Sequence, residues 1–137
     1  MGDIGAIRPL LVSVDGDDPV RVALEWEREL YVGEAPGPSS GDAGDRRHER
    51  VVAAGGATLQ ALDQLTPSAV TFALEWAAVV HTAAELPDLV VAMPRVEVAG
   101  VPMRYAGAVV DDGDDPALLA ARATLDALNR RLGVTGL

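Results

Sequence analysis

The chain has 137 residues and no cysteine, and its eleven cationic side chains, all arginine, leave a formal net charge of −10 at pH 7. This length predicts a single domain spanning residues 1–137. The composition excludes disulfides, thiolate metal sites and cysteine nucleophiles. The acidity disfavours nucleic acid and anionic membranes as partners. With no signal-peptide pattern and no apolar run of transmembrane length, we expect a cytoplasmic protein.

The first third of the chain predicts three strands. Residues 7–14 are largely apolar and are followed by a turn-forming run at 15–19. Apolar and polar side chains alternate over residues 20–27, as in a half-buried strand, and residues 29–35 continue as a third strand. Glycine, proline and serine are then frequent over 36–45, which predicts a flexible loop.

A helix is predicted over residues 47–65, with the glycine pair Gly55 and Gly56 inside it. Each glycine costs the helix about 0.5–1 kcal/mol relative to alanine. We therefore expect that the helix packs closely against the sheet at this point. The arginines at 46, 47 and 50 are interpreted as a solvated helix start.

Residues 66–68 form the predicted connection between two halves of the chain. Alternation over residues 70–80 predicts a strand. A helix is the alternative for residues 67–86, because Thr66 could cap it and Pro67 could occupy its first position. The sequence leaves this choice open.

The remaining elements are two strands and a helix. A strand is predicted over 89–98, where Pro94 indicates an edge position or a bulge, then a turn over 99–102 and a strand over 103–110. Asp115 and Pro116 predict the start of the last helix, and Gly133 predicts its end. Its predicted apolar stripe consists of Leu118, Leu125, Leu128 and Leu132. Ion pairs are predicted among Arg122, Asp126 and Arg130, which are spaced four residues apart on the other side of the helix.

Similar phrases recur in the two halves. Arg21-Val22 precedes Tyr31-Val32-Gly33 by ten residues, Arg95-Val96 precedes Tyr105-Ala106-Gly107 by the same interval, and residues 57–62 are similar to 123–128. The sequence therefore predicts an α+β fold made of an internally duplicated β-β-β-α unit, with pseudo-repeats at 7–65 and 70–132. Two helices would cover one face of the sheet. The other face, with Trp26, Phe72 and Trp76 as candidates, would be buried in a homodimer.

The sequence predicts no metal site, no cofactor and no catalytic constellation. Counting from Asp111, the acidic run 111–115 has Arg122 where a calcium loop needs glutamate. Gly33 and Gly107 indicate a bulge or close helix packing or, alternatively, a gap for a small ligand. Tyr31 and Tyr105 could place polar tips beside that gap, or they could simply pack. The candidate ligand-binding residues are Tyr31, Gly33, Tyr105, Gly107 and Asp111.

Residues 105–111, 121–123 and 127–130, which read YAGAVVD, ARA and ALNR, resemble the end of the regulatory domain of 2-isopropylmalate synthases. That domain is an internal duplication of strands and a helix, binds an end-product amino acid and helps to hold a dimer. The resemblance implies a regulatory, dimeric module with a small-molecule ligand such as an amino acid. The catalytic barrel of that family is absent, so synthase activity is not implied.

Three functions remain open from the sequence. The first is a non-catalytic module that binds a small metabolite or associates with itself. The second is an acidic adaptor that binds a basic protein partner. The third is a small enzyme using His81 and carboxylates, which would require His81 beside Asp or Glu in a concave pocket.

Overall fold

The computed structural model describes residues 11–39, 41–66 and 68–135, with only the backbone of 130–135. Within these ranges the protein is α+β, with two antiparallel sheets and two helices. The elements in chain order are β1 (Leu11–Asp15), β2 (Val20–Trp26), β3 (Glu29–Ala35), α1 (Ala43–Asp63), β4 (Val70–Val80), β5 (Leu89–Val98), β6 (Val101–Arg104), β7 (Gly107–Val110) and α2 (Pro116–Thr135).

Strands β1, β2 and β3 form the first sheet in that order. Alternation explains the packing of β2, since Val20, Val22 and Leu24 are fully buried while the intervening residues face outward. The bounds of β3 agree with the prediction. The first strand begins at Leu11 and ends at Asp15; residues 7–10 of the predicted strand lie outside the described residues.

The second sheet contains β4, β5, β6 and β7, with β5 central. The strand prediction for 70–80 is confirmed, so the helical alternative for this segment is wrong. Valines and aromatic side chains that pack on a pleated surface explain this preference. The predicted strand at 103–110 is divided into β6 and β7, which pair with β5 in one continuous register on either side of a break at residues 105–106.

Pro94 lies in the central strand, although the sequence left an edge position open. Its lack of an N–H group is tolerated because β4 carries a bulge at Glu75, between the pairs made by Leu74 and Trp76. On the other side of β5, Pro94 lies opposite the break between β6 and β7, where no neighbouring strand needs an amide from it. Its carbonyl still accepts a hydrogen bond from the Tyr105 amide at 3.1 Å. The bulge prediction is therefore confirmed and the edge prediction is wrong.

The first helix begins four residues before the predicted start. Asp42 is its N-cap and accepts a hydrogen bond from the Asp45 amide at 3.1 Å. Residues 43–45 of the predicted loop are therefore helical. The preceding loop lies against the β1–β2 connection, because the Gly37 amide donates to Asp18 Oδ1 at 3.0 Å.

The second helix begins as predicted, with Asp115 Oδ1 accepting from the Ala117 amide at 2.9 Å. It continues to Thr135, so Gly133 does not end it. The most buried leucines are Leu119 and Leu128, whereas Leu118 and Leu125 are half-buried. The predicted pairing of Arg122 with Asp126 is wrong, because the guanidinium of Arg122 bonds Asp114 instead, at 3.1 Å. The side chains of Arg130, the other predicted partner, and of Leu132 in the predicted stripe lie outside the described residues.

Helix α1 packs on β2 and β3, helix α2 packs on β5 and β7, and the helices pair with each other. Helix α1 also contacts β4, where a Cβ added to Gly55 would lie 2.9 Å from Leu74 Cδ2. The expected close packing is therefore confirmed at Gly55. At Gly56 it is wrong, because nothing lies within 4 Å of an added Cβ.

In each half of the chain, antiparallel strands are followed by a helix, but the strand registers of the two halves differ. Val22 pairs with Gly33, whereas Gly107 pairs with Ala92 and Val96 pairs with Met103. Counted from the hairpin turn, the pair that contains Gly107 lies two residues farther along each strand than the pair that contains Gly33. The match of Arg21-Val22 with Arg95-Val96 does not reflect equivalent positions, and the internal duplication stays a prediction.

Candidate functional site

The structure places the predicted ligand residues in two different sheets. Tyr31 and Gly33 lie in β3 of the first sheet, Gly107 lies in β7 of the second sheet, and Tyr105 and Asp111 flank β7. A Cβ on Gly33 would overlap the carbonyl oxygen of Ala57 in α1. A Cβ on Gly107 would likewise overlap the carbonyl oxygen of Ala123 in α2. Helix backbone fills the space beside both glycines, which favours the close-packing interpretation.

Helix side chains form hydrogen bonds with the strand backbone next to each glycine. The Glu34 amide donates to Gln60 Oε1 at 3.1 Å, and Gln64 Nε2 donates to the Val32 carbonyl at 2.7 Å. In the second sheet the Ala108 amide donates to Asp126 Oδ2 at 3.4 Å. These bonds satisfy backbone groups that edge strands would otherwise expose. Sequence reasoning missed this role of Gln60 and Asp126.

Both tyrosines bond a residue two positions earlier. The Tyr31 hydroxyl donates to Glu29 Oε1 at 2.9 Å, and this bond to a carboxylate raises the pKa of Tyr31. The Tyr105 hydroxyl donates to Met103 Sδ at 3.1 Å. Each hydroxyl therefore has a hydrogen-bond partner two residues away along the chain.

Asp111, in the β7–α2 connection, belongs to a polar cluster that joins this connection to α1 and to the β4–β5 connection. It forms an ion pair with Arg47 near the start of α1, and Arg47 Nη1 also lies 3.6 Å from Asp88 Oδ2. Asp88 in turn lies 2.8 Å from His81 Nδ1, and this hydrogen bond lowers the pKa of Asp88. The Asp88 carbonyl accepts from the Asp111 amide at 2.8 Å.

Arg50 makes a second link between the halves of the chain. Its guanidinium donates to both carboxylate oxygens of Asp115, at 2.8 and 2.6 Å, and to the Gly16 carbonyl and Asp17 Oδ1 at 3.0 and 3.1 Å. The bond from Arg50 lowers the pKa of Asp115. The interpretation of Arg47 and Arg50 as a solvated helix start is wrong. The signal for this arrangement was the presence of acidic runs at both 15–18 and 111–115.

The carboxylates of the acidic run have specific partners. Asp111 pairs with Arg47, Asp115 with Arg50, and Asp114 with Arg122 at 3.1 Å. Across the residues that the structure describes, no group of three or more histidine and carboxylate side chains is placed to hold a metal ion.

His81 meets only part of the requirement set for an enzyme. It lies beside Asp88, but its side chain is 69% exposed at the connection between β4 and β5. General acid–base catalysis needs the side chain to face a bound substrate in a protected cleft. The position of His81 provides the carboxylate neighbour without that enclosure.

The outer face of the second sheet is a continuous apolar surface that no other described element covers. The bulge at Glu75 reverses the alternation of β4, so Trp76 points outward although Phe72 and Leu74 point toward the core. Cross-strand partners share a face, which defines this outer face as Trp76, Ala78, Val80, Leu89, Val91, Met93, Ala108 and Val110. Trp76 is 46% exposed and Val110 is 51% exposed.

Only one of the three aromatic residues predicted for this surface lies on it. Phe72 pairs with buried Val96 on the core face, and Trp26 follows the inward-facing residues of β2 in the alternation. The predictions for Phe72 and Trp26 are therefore wrong. For Trp26 the alternation of β2 already indicates the inward face, which it shares with the buried residues of that strand. For Phe72 the periodicity could not reveal that Trp76 turns the other way, because the bulge at Glu75 changes the phase of the alternation without changing the residue pattern.

Charges border the outer face at one end. Glu75 forms an ion pair with Arg104, and Arg95 Nη1 lies 3.9 Å from the same carboxylate. The hydrogen bond from Arg104 lowers the pKa of Glu75. This arrangement gives the apolar surface a polar rim, as protein interfaces have.

Among the described residues, two clefts lie along α1. The edge groove, of about 360 Å³, is lined by Gly56, Leu59, Gln60, Asp63, Thr71, Phe72, Ala73 and Leu74. The loop cleft, of about 480 Å³, is lined by Ala35, Pro36, Gly37, Ser39, His48, Glu49, Val52 and Ala53. Both volumes lie within the range of small-molecule sites.

Among the described residues, neither helix combines the length and the apolar character that a membrane crossing needs. No protein-family model, no curated protein and no solved structure matches this chain. The functional assignment therefore depends on the surfaces and clefts of this structure.

Proposed function

We propose that the protein is a non-catalytic module that associates with a second copy of itself through the outer face of the second sheet. The observation that carries the proposal is the apolar character of this face, where Trp76, Val91, Met93 and Val110 lie side by side on adjacent strands. Sheet faces that are open to water normally carry polar side chains at these positions. An apolar face with a charged rim is typical of a site of protein association.

The size of the face supports a weak, symmetric dimer. The apolar face covers the β5 residues from Leu89 to Met93, which at about 3.3 Å each, with three strands about 4.8 Å apart, give a face of roughly 16 by 14 Å. Even with side-chain relief and the charged rim, this area lies below the roughly 600 Å² per partner of stable interfaces, so the expected dimer is weak. Two identical faces can meet about a twofold axis, because each apolar row then contacts an apolar row of the other copy.

Light scattering coupled to gel filtration, over a range of protein concentrations, tests this proposal. The wild-type protein should approach the mass of a dimer as the concentration rises. Trp76→Ser should weaken association at least tenfold, because an exposed aromatic side chain is the kind that dominates interface energies. Leu30→Ser is the matched control, since Leu30 is also exposed, at 64%, but lies on the first sheet. A wild-type monomer at all concentrations, or equal effects of the two substitutions, would contradict the proposal.

Metabolite binding is the second candidate function, supported by the volume and mixed lining of the loop cleft. Its apolar wall includes Pro36 and Val52, and His48 and Glu49 provide polar groups. A thermal-shift screen of amino acids and other metabolites tests it, because a ligand that binds only the folded state raises the melting temperature. Val52→Trp should remove a genuine shift by filling the cleft. A screen with no stabilising compound would reject this candidate without affecting the dimer proposal.

A further inference from the structure

The edge groove runs along the free edge of β4. Four consecutive residues, Thr71 to Leu74, line it. Successive side chains of a strand point to opposite faces of the sheet. A cleft that touches all four must therefore follow the edge of the strand. Since β4 pairs with β5 on one side and with no other described strand, the backbone groups on its second side face this groove.

The opposite wall of the groove is one face of α1. Gly56, Leu59, Gln60 and Asp63 have the spacing of neighbours along a helix surface. Gly56 has nothing within 4 Å of an added Cβ, whereas its neighbour Gly55 is in contact with Leu74. Packing therefore explains Gly55 but not Gly56. The second glycine keeps the helix wall clear of the strand edge.

On β3 and β7, helix side chains form hydrogen bonds with the backbone of the strand edge. Gln60 and Gln64 bond the backbone of β3, and Asp126 bonds the backbone of β7. In the part of the chain that the structure describes, no side-chain hydrogen bond reaches the backbone of residues 71–74. The groove thus combines an unsealed strand edge with room beside it, the arrangement in which an extended peptide can add to a sheet.

We propose that the edge groove binds an extended segment of a partner protein as an additional strand on β4, with apolar side chains alternating with basic ones. Apolar side chains of the segment would contact the half-buried Phe72 and Leu74 in the groove. A basic side chain would meet the carboxylate of Asp63, which lies exposed at the groove. The net charge of −10 attracts a basic segment over longer distances. This site is separate from the outer face proposed for self-association.

The test uses a fluorescein-labelled, end-blocked heptapeptide of alternating arginine and valine, measured by fluorescence anisotropy on the full chain. Two further peptides separate the possible causes of binding. One has glutamate in place of arginine, and the other keeps the arginines but carries N-methyl groups on alternate backbone amides. Strand addition requires backbone donors, so N-methylation should weaken binding at least tenfold. The glutamate peptide should bind at least tenfold more weakly than the arginine peptide.

Three protein variants locate the site. Gly56→Leu fills open space on the helix and should weaken binding at least tenfold, with its fold verified by circular dichroism and thermal melting. Should Gly56→Leu fail to fold, Gly56→Ala is the milder replacement and should still weaken binding measurably. Asp63→Asn should weaken binding severalfold and reduce its salt dependence. Glu85→Gln is the matched control, because Glu85 is exposed in the β4–β5 connection, and it should leave binding unchanged.

Hydrogen exchange supplies the direct readout. The amides of residues 71–74 should become more protected when the arginine–valine peptide is added. No binding of this peptide, equal binding of the N-methylated peptide, or unchanged affinity of Gly56→Leu would each overturn the proposal. Protection of the same amides that rises with protein concentration alone would assign the groove to a second copy and would also overturn it.

Discussion

The two sheets are alike on the face that meets the helices and different on the face that meets solvent. Gly33 and Gly107 each bring a strand against helix backbone, and the following amide is bonded by a helix side chain in both. On the outside, the first sheet carries the Arg21–Glu34 ion pair at 2.7 Å across its strands. On its outer face the second sheet instead carries Trp76, Val91 and Val110.

This comparison teaches that packing against a helix and exposure to a partner impose separate demands on one strand. Alternation lets inward residues satisfy the helix while outward residues vary without affecting it. The inner faces therefore define the fold, and the outer faces differ: the first sheet mixes charged pairs with exposed apolar residues such as Leu11 and Leu30, whereas the second sheet carries a continuous apolar surface. The predictions that follow test each side of this distinction.

The largest effect is expected at the helix-facing glycines. Gly33→Val and Gly107→Val should each destabilise the protein by about 3 kcal/mol, because the new side chain overlaps helix backbone that cannot move aside. For a domain of this size we expect the melting temperature to fall by roughly 10 °C. Calorimetry of both variants measures this. A large loss at one glycine and none at the other would break the similarity of the inner faces.

A smaller effect is expected where Arg50 joins the two halves of the chain. Arg50→Met should lower the free energy of unfolding at pH 7 by about 1 kcal/mol, because a partly buried bidentate bond to Asp115 is lost. Arg21→Met, which removes an exposed pair on the first sheet, should cost less. Urea denaturation of both variants at one protein concentration gives the comparison. An equal cost would show that Arg50 is no more than a surface charge.

The pH dependence of the Arg50 pair has a defined sign. Arg50 lowers the folded-state pKa of Asp115, so the unfolded chain binds the proton more readily. The stability from this pair is therefore complete above the unfolded-state pKa, about 3.9, and is lost as the pH falls toward the folded-state pKa. The difference in free energy of unfolding between Arg50→Met and the wild type should accordingly narrow below about pH 4. A difference that stays constant down to pH 2 would contradict this assignment.

The smallest effect is expected at Gly56, on the wall of the edge groove. Gly56→Ala should stabilise the protein by about 0.5–1 kcal/mol, because alanine favours the helix and meets no neighbouring atom. Gly55→Ala is the adjacent control and should give less stabilisation or a loss, since its side chain would press on Leu74. Thermal melting of the pair measures this. Destabilisation by Gly56→Ala would mean that the groove is closed in solution.

Local patterns in the sequence predicted much of the fold. The bounds of β3, β4 and β5 and the cap at Asp115 follow from alternation and from short-range bonds within a few residues. The start of α1 was predicted late because Asp42 is followed by small residues that resemble a loop. Of the candidate site, the sequence indicated the importance of Gly33 and Gly107 but left their role open between packing and ligand binding.

What the sequence by itself determined was the α+β class and the order of most elements, with residues 67–86 left open between strand and helix, because hydrophobic period and capping act between residues close along the chain. Only the tertiary structure decided which side chains share a surface. The bulge at Glu75 turned Trp76 outward, Arg50 found its carboxylate 65 positions away, and β4 was left with an open edge beside Gly56. Each depends on how distant segments meet, which no local pattern encodes.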